Sequence, residues 1–132
     1  MKIKFPIRFE GSRGEKDLIT YFDRNSPFSF IDAGPANVIA DSQKLFRPLN
    51  TNTSEANNYI NVFDVILADF YINKVRMSDE FYIVHHLKEN AIVGATTIRK
   101  WRMKFDLKNA RVIIDHRIAK PILIDLGLVY KC

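Results

Sequence analysis

The chain has 132 residues, 47% hydrophobic and 27% charged, a folded rather than disordered composition and enough for one domain with its own core. No apolar run reaches the length of a membrane span, and the opening MKIKFPIRFEGSRGEK alternates charged with apolar residues, unlike a signal peptide. The net charge of +5 is dispersed, which reads as a solvated surface, and a single Cys132 allows no internal disulfide and fits a reducing, cytoplasmic compartment.

Ile3, Phe5, Ile7 and Phe9 alternate with Lys4, Pro6 and Arg8, the period of a half-buried strand. Pro6 has no N–H to give a neighbour, which puts this strand at an edge. Gly11 to Gly14 is a turn, without the Lys-Ser/Thr of a phosphate-binding loop. Leu18 to Phe22 returns, so a hairpin delivers Asp23 at the end of its second strand. Phe28 to Ile31 is a further short strand. Asp32-Ala33-Gly34-Pro35 reads as a breaker, and Val38 to Phe46 as strand or short helix.

PLNTNTSEANNYIN, from Pro48 to Asn61, is too polar for a core and predicts a projecting hairpin or mobile loop with its tip near Thr53 to Asn57. Val62 to Ile72 is a long strand, Asn73-Lys74 a turn, and Val75 to Met77 and Phe81 to Val84 are two more strands. Ala91 to Val93 is a short buried strand, and Gly94 permits a close approach by a neighbour. Thr96 or Thr97 caps a helix whose apolar contacts come from Ile98 and Trp101. Asp106 to Asn109 turns the chain, Val112 to Ile114 is a strand, and Ile122 to Ile124 is another. The sum is an all-β chain with one short helix, best arranged as a small closed or nearly closed barrel.

Other polar groups carry plainer readings. Asp64, Asp69 and Asp79 read as surface or ladder-end residues. His85 and His86 are neighbours on a strand and face opposite sides, with no Cys or third His spaced to complete a metal site. Arg99, Lys100, Arg102 and Lys104 form a basic run with no interleaved aromatic platform, so nucleic acid is not expected as a partner.

The order strand, strand, Asp, strand, projecting hairpin, long strand, strand, apolar-apolar-Gly, helix runs from Ile3 to Ile114. It resembles the single-domain aspartic proteases of the retropepsin type, and FPIRFEGSRGEK, DFYINKVRMSDEFYIV and IVGATTIRKWRMKFD have the flavour of prokaryotic members. The resemblance implies a small closed β-barrel of the acid-protease type over residues 1–132, with a flap at about 47–62 and a C-terminal extension at about 115–132. It also implies a homodimer, in which each subunit supplies one aspartate and a flap covers a peptide or protein substrate in the cleft. No cofactor, metal or membrane is called for.

Carried onto this sequence, the resemblance makes Asp23 catalytic, with Arg24, Asn25 and Ser26 in the active-site loop. Ile92, Val93 and Gly94 become the loop's support, and Thr51, Asn52, Thr53, Ser54 and Glu55 fall in the flap. Asp32 competes with Asp23, because Asp32-Ala33-Gly34 keeps the glycine of the family's Asp-Thr/Ser-Gly triplet. Register favours Asp23: the family places two apolar residues seven and eight positions after the acid, and Phe30 and Ile31 stand there.

Arg24 and Asn25 depart from the triplet. Two carboxylates a few ångströms apart share one proton, and that pairing needs rigid support. In the family the Ser or Thr after the acid bonds across the dimer axis, whereas two guanidiniums there repel and favour ionised Asp23. Two readings follow: an aspartic endopeptidase with activity impaired by Arg24 and Asn25, or an inactive dimeric peptide-binding or scaffold domain on the same fold.

Overall fold

Alternation at the N-terminus builds the first hairpin. In the computed structural model, which describes residues 3–51 and 59–114, β1 (Ile3–Gly11) pairs antiparallel with β2 (Gly14–Phe22) from Ile3↔Phe22 to Gly11↔Gly14. Ile3, Ile7, Phe9, Leu18 and Phe22 are buried, as a period of two requires. The far side of β1 is paired only at Arg8 to Glu10, so Pro6 lies on an open edge where its missing N–H costs nothing.

After β3 (Phe30–Asp32) come α1 (Ala33–Ile39), β4 (Gln43–Thr51), β5 (Ile60–Ile72) and β6 (Val75–Val84). β7 (Ala91–Val93) leads into α2 (Ala95–Lys100), and β8 (Lys104–Asp106) and β9 (Arg111–Ile113) form a separate small hairpin. The strands join in the order β1-β2-β7-β3-β6-β5, and β5 returns to β1 through Arg8↔Tyr71, Phe9↔Phe70 and Glu10↔Asp69. The sheet therefore closes into a six-stranded barrel, with β4 added outside on β5. This is the small closed barrel expected from the sequence.

Phe9, Phe70 and Phe81 fill its centre, with ring centroids 5.3 to 5.8 Å apart and no exposed surface. Each such burial is worth about 2–3 kcal/mol, so this aromatic trio anchors the closure of β1 on β5 and of β5 on β6. Asn73 and Lys74 adopt φ of 51° and 68°, the left-handed pair of a tight hairpin turn, which locks β5 and β6 in register from Ile72↔Val75 to Val65↔Tyr82.

Four local expectations need correction. Asp32 to Pro35 is no breaker: Asp32 caps α1, its Oδ2 accepting the Gly34 N–H at 3.2 Å, and Pro35 sits in the first turn, where a missing N–H is harmless. A second short helix thus joins the one expected. Val75 to Val84 is one strand, because Ser78, Asp79 and Glu80 keep the alternation and pair with Asp69, Ala68 and Leu67. Thr96 and Thr97 do not cap α2, whose cap position is Gly94 with no side-chain bond. Ile122 to Ile124, and the extension at about 115–132, lie outside the described residues. No helix among the described residues is long and apolar enough to cross a membrane.

Candidate functional site

The short strand β7 explains how Asp23 is held. It runs parallel to β2, with Phe22 opposite Val93, and antiparallel to β3, with Phe30 opposite Ile92. The chain leaving β2 at Asp23 must therefore arch over the end of β7 to enter β3 on its other side. Gly94, the residue after Val93, lies beneath that arch.

Backbone bonds fix the arch from both ends. The Asp23 N–H donates to the Val93 carbonyl at 2.9 Å, and the Ser26 N–H donates to the Asp23 carbonyl at 3.2 Å. Across the arch, Ala95 and Thr96 at the start of α2 donate to the carbonyls of Ser26 (2.7 Å) and Pro27 (3.3 Å). Two of the helix's free N–H groups are thereby satisfied by the loop, so no capping side chain is needed. The Ser26 hydroxyl donates to the Phe28 carbonyl at 2.9 Å. The Ser29 hydroxyl accepts the Gly94 N–H at 2.9 Å and meets the Thr97 hydroxyl at 2.6 Å. Thr97 is thus buried as a brace between helix and loop, a role its position three residues after Gly94 does not advertise.

A β-carbon on Gly94 would stand 2.1 Å from the Phe28 carbonyl oxygen and 2.8 Å from that of Ser26. Only glycine fits there. Ile92 and Val93, both fully buried, root the support in the core. Ile92, Val93 and Gly94 are all brought against the loop.

Asp23 is 3% exposed. Its Oδ1 accepts the Asn25 N–H at 2.9 Å, an Asx-type bond that fixes the carboxylate plane. Its Oδ2 is buried and has no hydrogen-bond partner among the described residues. Arg24 and Asn25 are exposed, and the Arg24 guanidinium carbon lies 5.3 Å from the centroid of the Phe105 ring. A cavity of about 390 Å³ opens here, walled by Ile3, Phe22, Phe105 and Leu107 as well as by Asp23 and Arg24. The contribution of Phe105 and Leu107 has no sequence signal, since it arises only when the β8–β9 region folds back beside β2.

Asp32 is engaged elsewhere. Besides capping α1, it accepts the Leu87 N–H on Oδ1 at 2.9 Å, so both of its oxygens hold backbone. Thr51 is buried at the end of β4, opposite Ile60, while Asn52, Thr53, Ser54 and Glu55 lie outside the described residues. His85 and His86 are not on a strand as read from the sequence: β6 ends at Val84, and both lie exposed in the turn that follows, where His86 takes a φ of 62°. A larger open groove, about 700 Å³, lies by Glu10, Asp41 and Asp69, but these carboxylates are already bonded to Tyr71, Ser12 and Ser78.

Comparison with known proteins bears on the architecture. No family model and no curated protein matches the chain. Among solved structures, the retroviral protease-like domain of Ddi1 from Leishmania major superposes with a TM-score of 0.64 at 14% identity, covering 87% of this chain and 89% of that one. The fold is retropepsin-like. At that identity the likeness is one of the fold alone. Within the retropepsin-like barrel, Asp23 stands where a buried hairpin end, a parallel β7 and a glycine converge.

Proposed function

We propose that this chain is one subunit of a homodimeric retropepsin-like aspartic endopeptidase, hydrolysing peptide bonds with paired Asp23 carboxylates and neither metal nor cofactor. The observation that carries the reading is the buried Oδ2 of Asp23, which meets no donor among the described residues, in a residue that lines a cavity. Leaving such an oxygen unsatisfied costs about 1–3 kcal/mol. In the proposed dimer a water held jointly with the second Asp23 satisfies it. Engagement of both Asp32 oxygens by backbone N–H groups supports Asp23 over its rival.

With one proton between the two acids, the ionised carboxylate takes a proton from the shared water as its oxygen adds to the peptide carbonyl carbon. The protonated carboxylic acid donates to the carbonyl oxygen. Collapse of the tetrahedral intermediate breaks the C–N bond, and a proton passes to the leaving amine. Residues 47–62 serve as the flap over the substrate, and the whole chain acts as one domain in a reducing, cytoplasmic setting. Its partners are a second copy and a peptide or protein, not a membrane or a nucleic acid.

One feature favours a second reading, a catalytically inactive dimeric domain that grips a peptide by strand addition. Exposed Arg24 and Asn25 occupy the two places after the acid, where the retropepsin pattern has a hydroxyl residue and a glycine. Incubating the purified chain with a diverse peptide library between acidic and neutral pH separates the two. Cleavage that falls by on the order of 10³-fold in Asp23→Asn is the expected result. The Asn side-chain oxygen still accepts the Asn25 N–H, so the variant keeps its fold, which its melting temperature checks. Peptide binding without turnover by the unaltered chain selects the inactive domain.

A further inference from the structure

Arg24 and Arg47 have aromatic rings rather than carboxylates as partners among the described residues, and of the two only Arg24 lines the cavity beside Asp23. Arg8, Arg13, Arg76 and Arg111 each lie within 4.0 Å of a carboxylate, on Glu15, Asp41, Asp69 and Asp106. Among the described residues no carboxylate pairs with Arg24, and its contact is the face of Phe105 at 5.3 Å. Phe105 is itself propped edge-on against Phe22 at 6.1 Å, and Phe22 stacks on Phe5 at 5.3 Å. A ladder of three rings thus holds one guanidinium in place by its face. Among the described residues the planar fork of N–H donors meets no carboxylate, and a guanidinium loses less freedom per hydrogen bond formed than an ammonium does.

Resting on the reading of this cavity as a peptide cleft, we infer that the space beside Asp23 selects peptides bearing a carboxylate, and that Arg24, racked on Phe105, is the group that recognises it. The cavity of about 390 Å³ is of side-chain scale, and apart from Asp23 and Arg24 its walls carry no formal charge: Ile3, Tyr21, Phe22, Asn25, Phe105 and Leu107. Asp23 opposes an incoming acid, but it is 3% exposed and turns Oδ1 to the Asn25 N–H, whereas Arg24 is exposed. An entering carboxylate reaches the guanidinium first and pairs with it in the two-pronged geometry that carboxylate and guanidinium share.

The test uses the full chain carrying Asp23→Asn, so that binding is read without turnover. Fluorescent peptides, acetylated and amidated, differ only in Glu or Gln at one scanned position; a third set carries Gln with a free C-terminal carboxylate. At one position Glu is expected to bind about tenfold more tightly than Gln. Adding Arg24→Gln removes the difference, Arg24→Glu shifts preference to a Lys peptide, and Phe105→Leu weakens the discrimination. Gain from the free terminus instead of the side chain still supports the inference and names the terminus as the source. Equal affinity for all three sets overturns it, and leaves the peptidase reading standing if the unaltered chain cuts neutral peptides. Preferential binding of Glu peptides with no cleavage by the unaltered chain has the opposite outcome. Failure to bind any peptide, with no cleavage by the unaltered chain, overturns both.

Discussion

Gly94 sits directly under Phe28: a β-carbon added to the glycine would lie 2.1 Å from that residue's carbonyl oxygen and 2.5 Å from its carbonyl carbon. Both atoms belong to the backbone of the arch that carries Asp23, so no side-chain rotation relieves the clash. Gly94→Ala is expected to cost about 3 kcal/mol or more, at or above the usual range for overpacking. Urea denaturation checks this through the midpoint. A loss under about 0.5 kcal/mol, the scale of ordinary surface changes, contradicts the close approach.

Ser29 and Thr97 make a second, graded prediction. The Ser29 hydroxyl holds two partners, the Gly94 N–H at 2.9 Å and the Thr97 hydroxyl at 2.6 Å, in a site where Ser29 is 2% exposed. Thr97→Val removes one bond but leaves the Gly94 N–H satisfied, for a cost of about 1 kcal/mol. Ser29→Ala strands both the buried N–H and the Thr97 hydroxyl, and is expected to cost about 2–3 kcal/mol. The order of the two melting temperatures decides it, and a reversed order refutes the brace.

Acid pH should loosen the β8–β9 hairpin that presents Phe105. The Asn109 side chain at 2.8 Å, then Arg111 at 3.1 Å, then the Asn109 N–H at 3.2 Å donate to the Asp106 carboxylate and hold its pKa below the ordinary carboxylate range. A pKa depressed in the folded state stabilises above the unfolded value, near 4, and that contribution disappears as pH falls through the lower folded value. Wild type is therefore expected to melt above Asp106→Asn at neutral pH, with the gap narrowing below about pH 4. Melting curves across that range test it, and a gap independent of pH rules it out.

Elements built from local chemistry are legible in the sequence. The alternation of Ile3, Phe5, Ile7 and Phe9, the turn at Asn73-Lys74 and the strand Ala91–Val93 all fall as read. Each is governed by side-chain period or by one turn's backbone demand. Asp32 to Pro35 departs from its sequence reading for the same local reason: proline and glycine near a helix start look like a break until the cap bond from Gly34 to Asp32 is seen. Ser78 to Glu80 looked like an interruption because polarity hid an alternation that becomes plain only beside β5.

Sequence by itself determined the barrel class, the hairpin that ends on Asp23, and Gly94 as a place open to close approach after the buried strand Ala91–Val93. Spacing and periodicity report whatever a residue's near neighbours impose. Tertiary structure alone decided that Asp32 binds backbone on both oxygens, that Thr97 braces the loop, and that Phe105 crosses more than eighty positions of chain to hold Arg24. Those relationships depend on the closure of six strands into one barrel, and contacts made by closure leave no periodic trace in the order of residues.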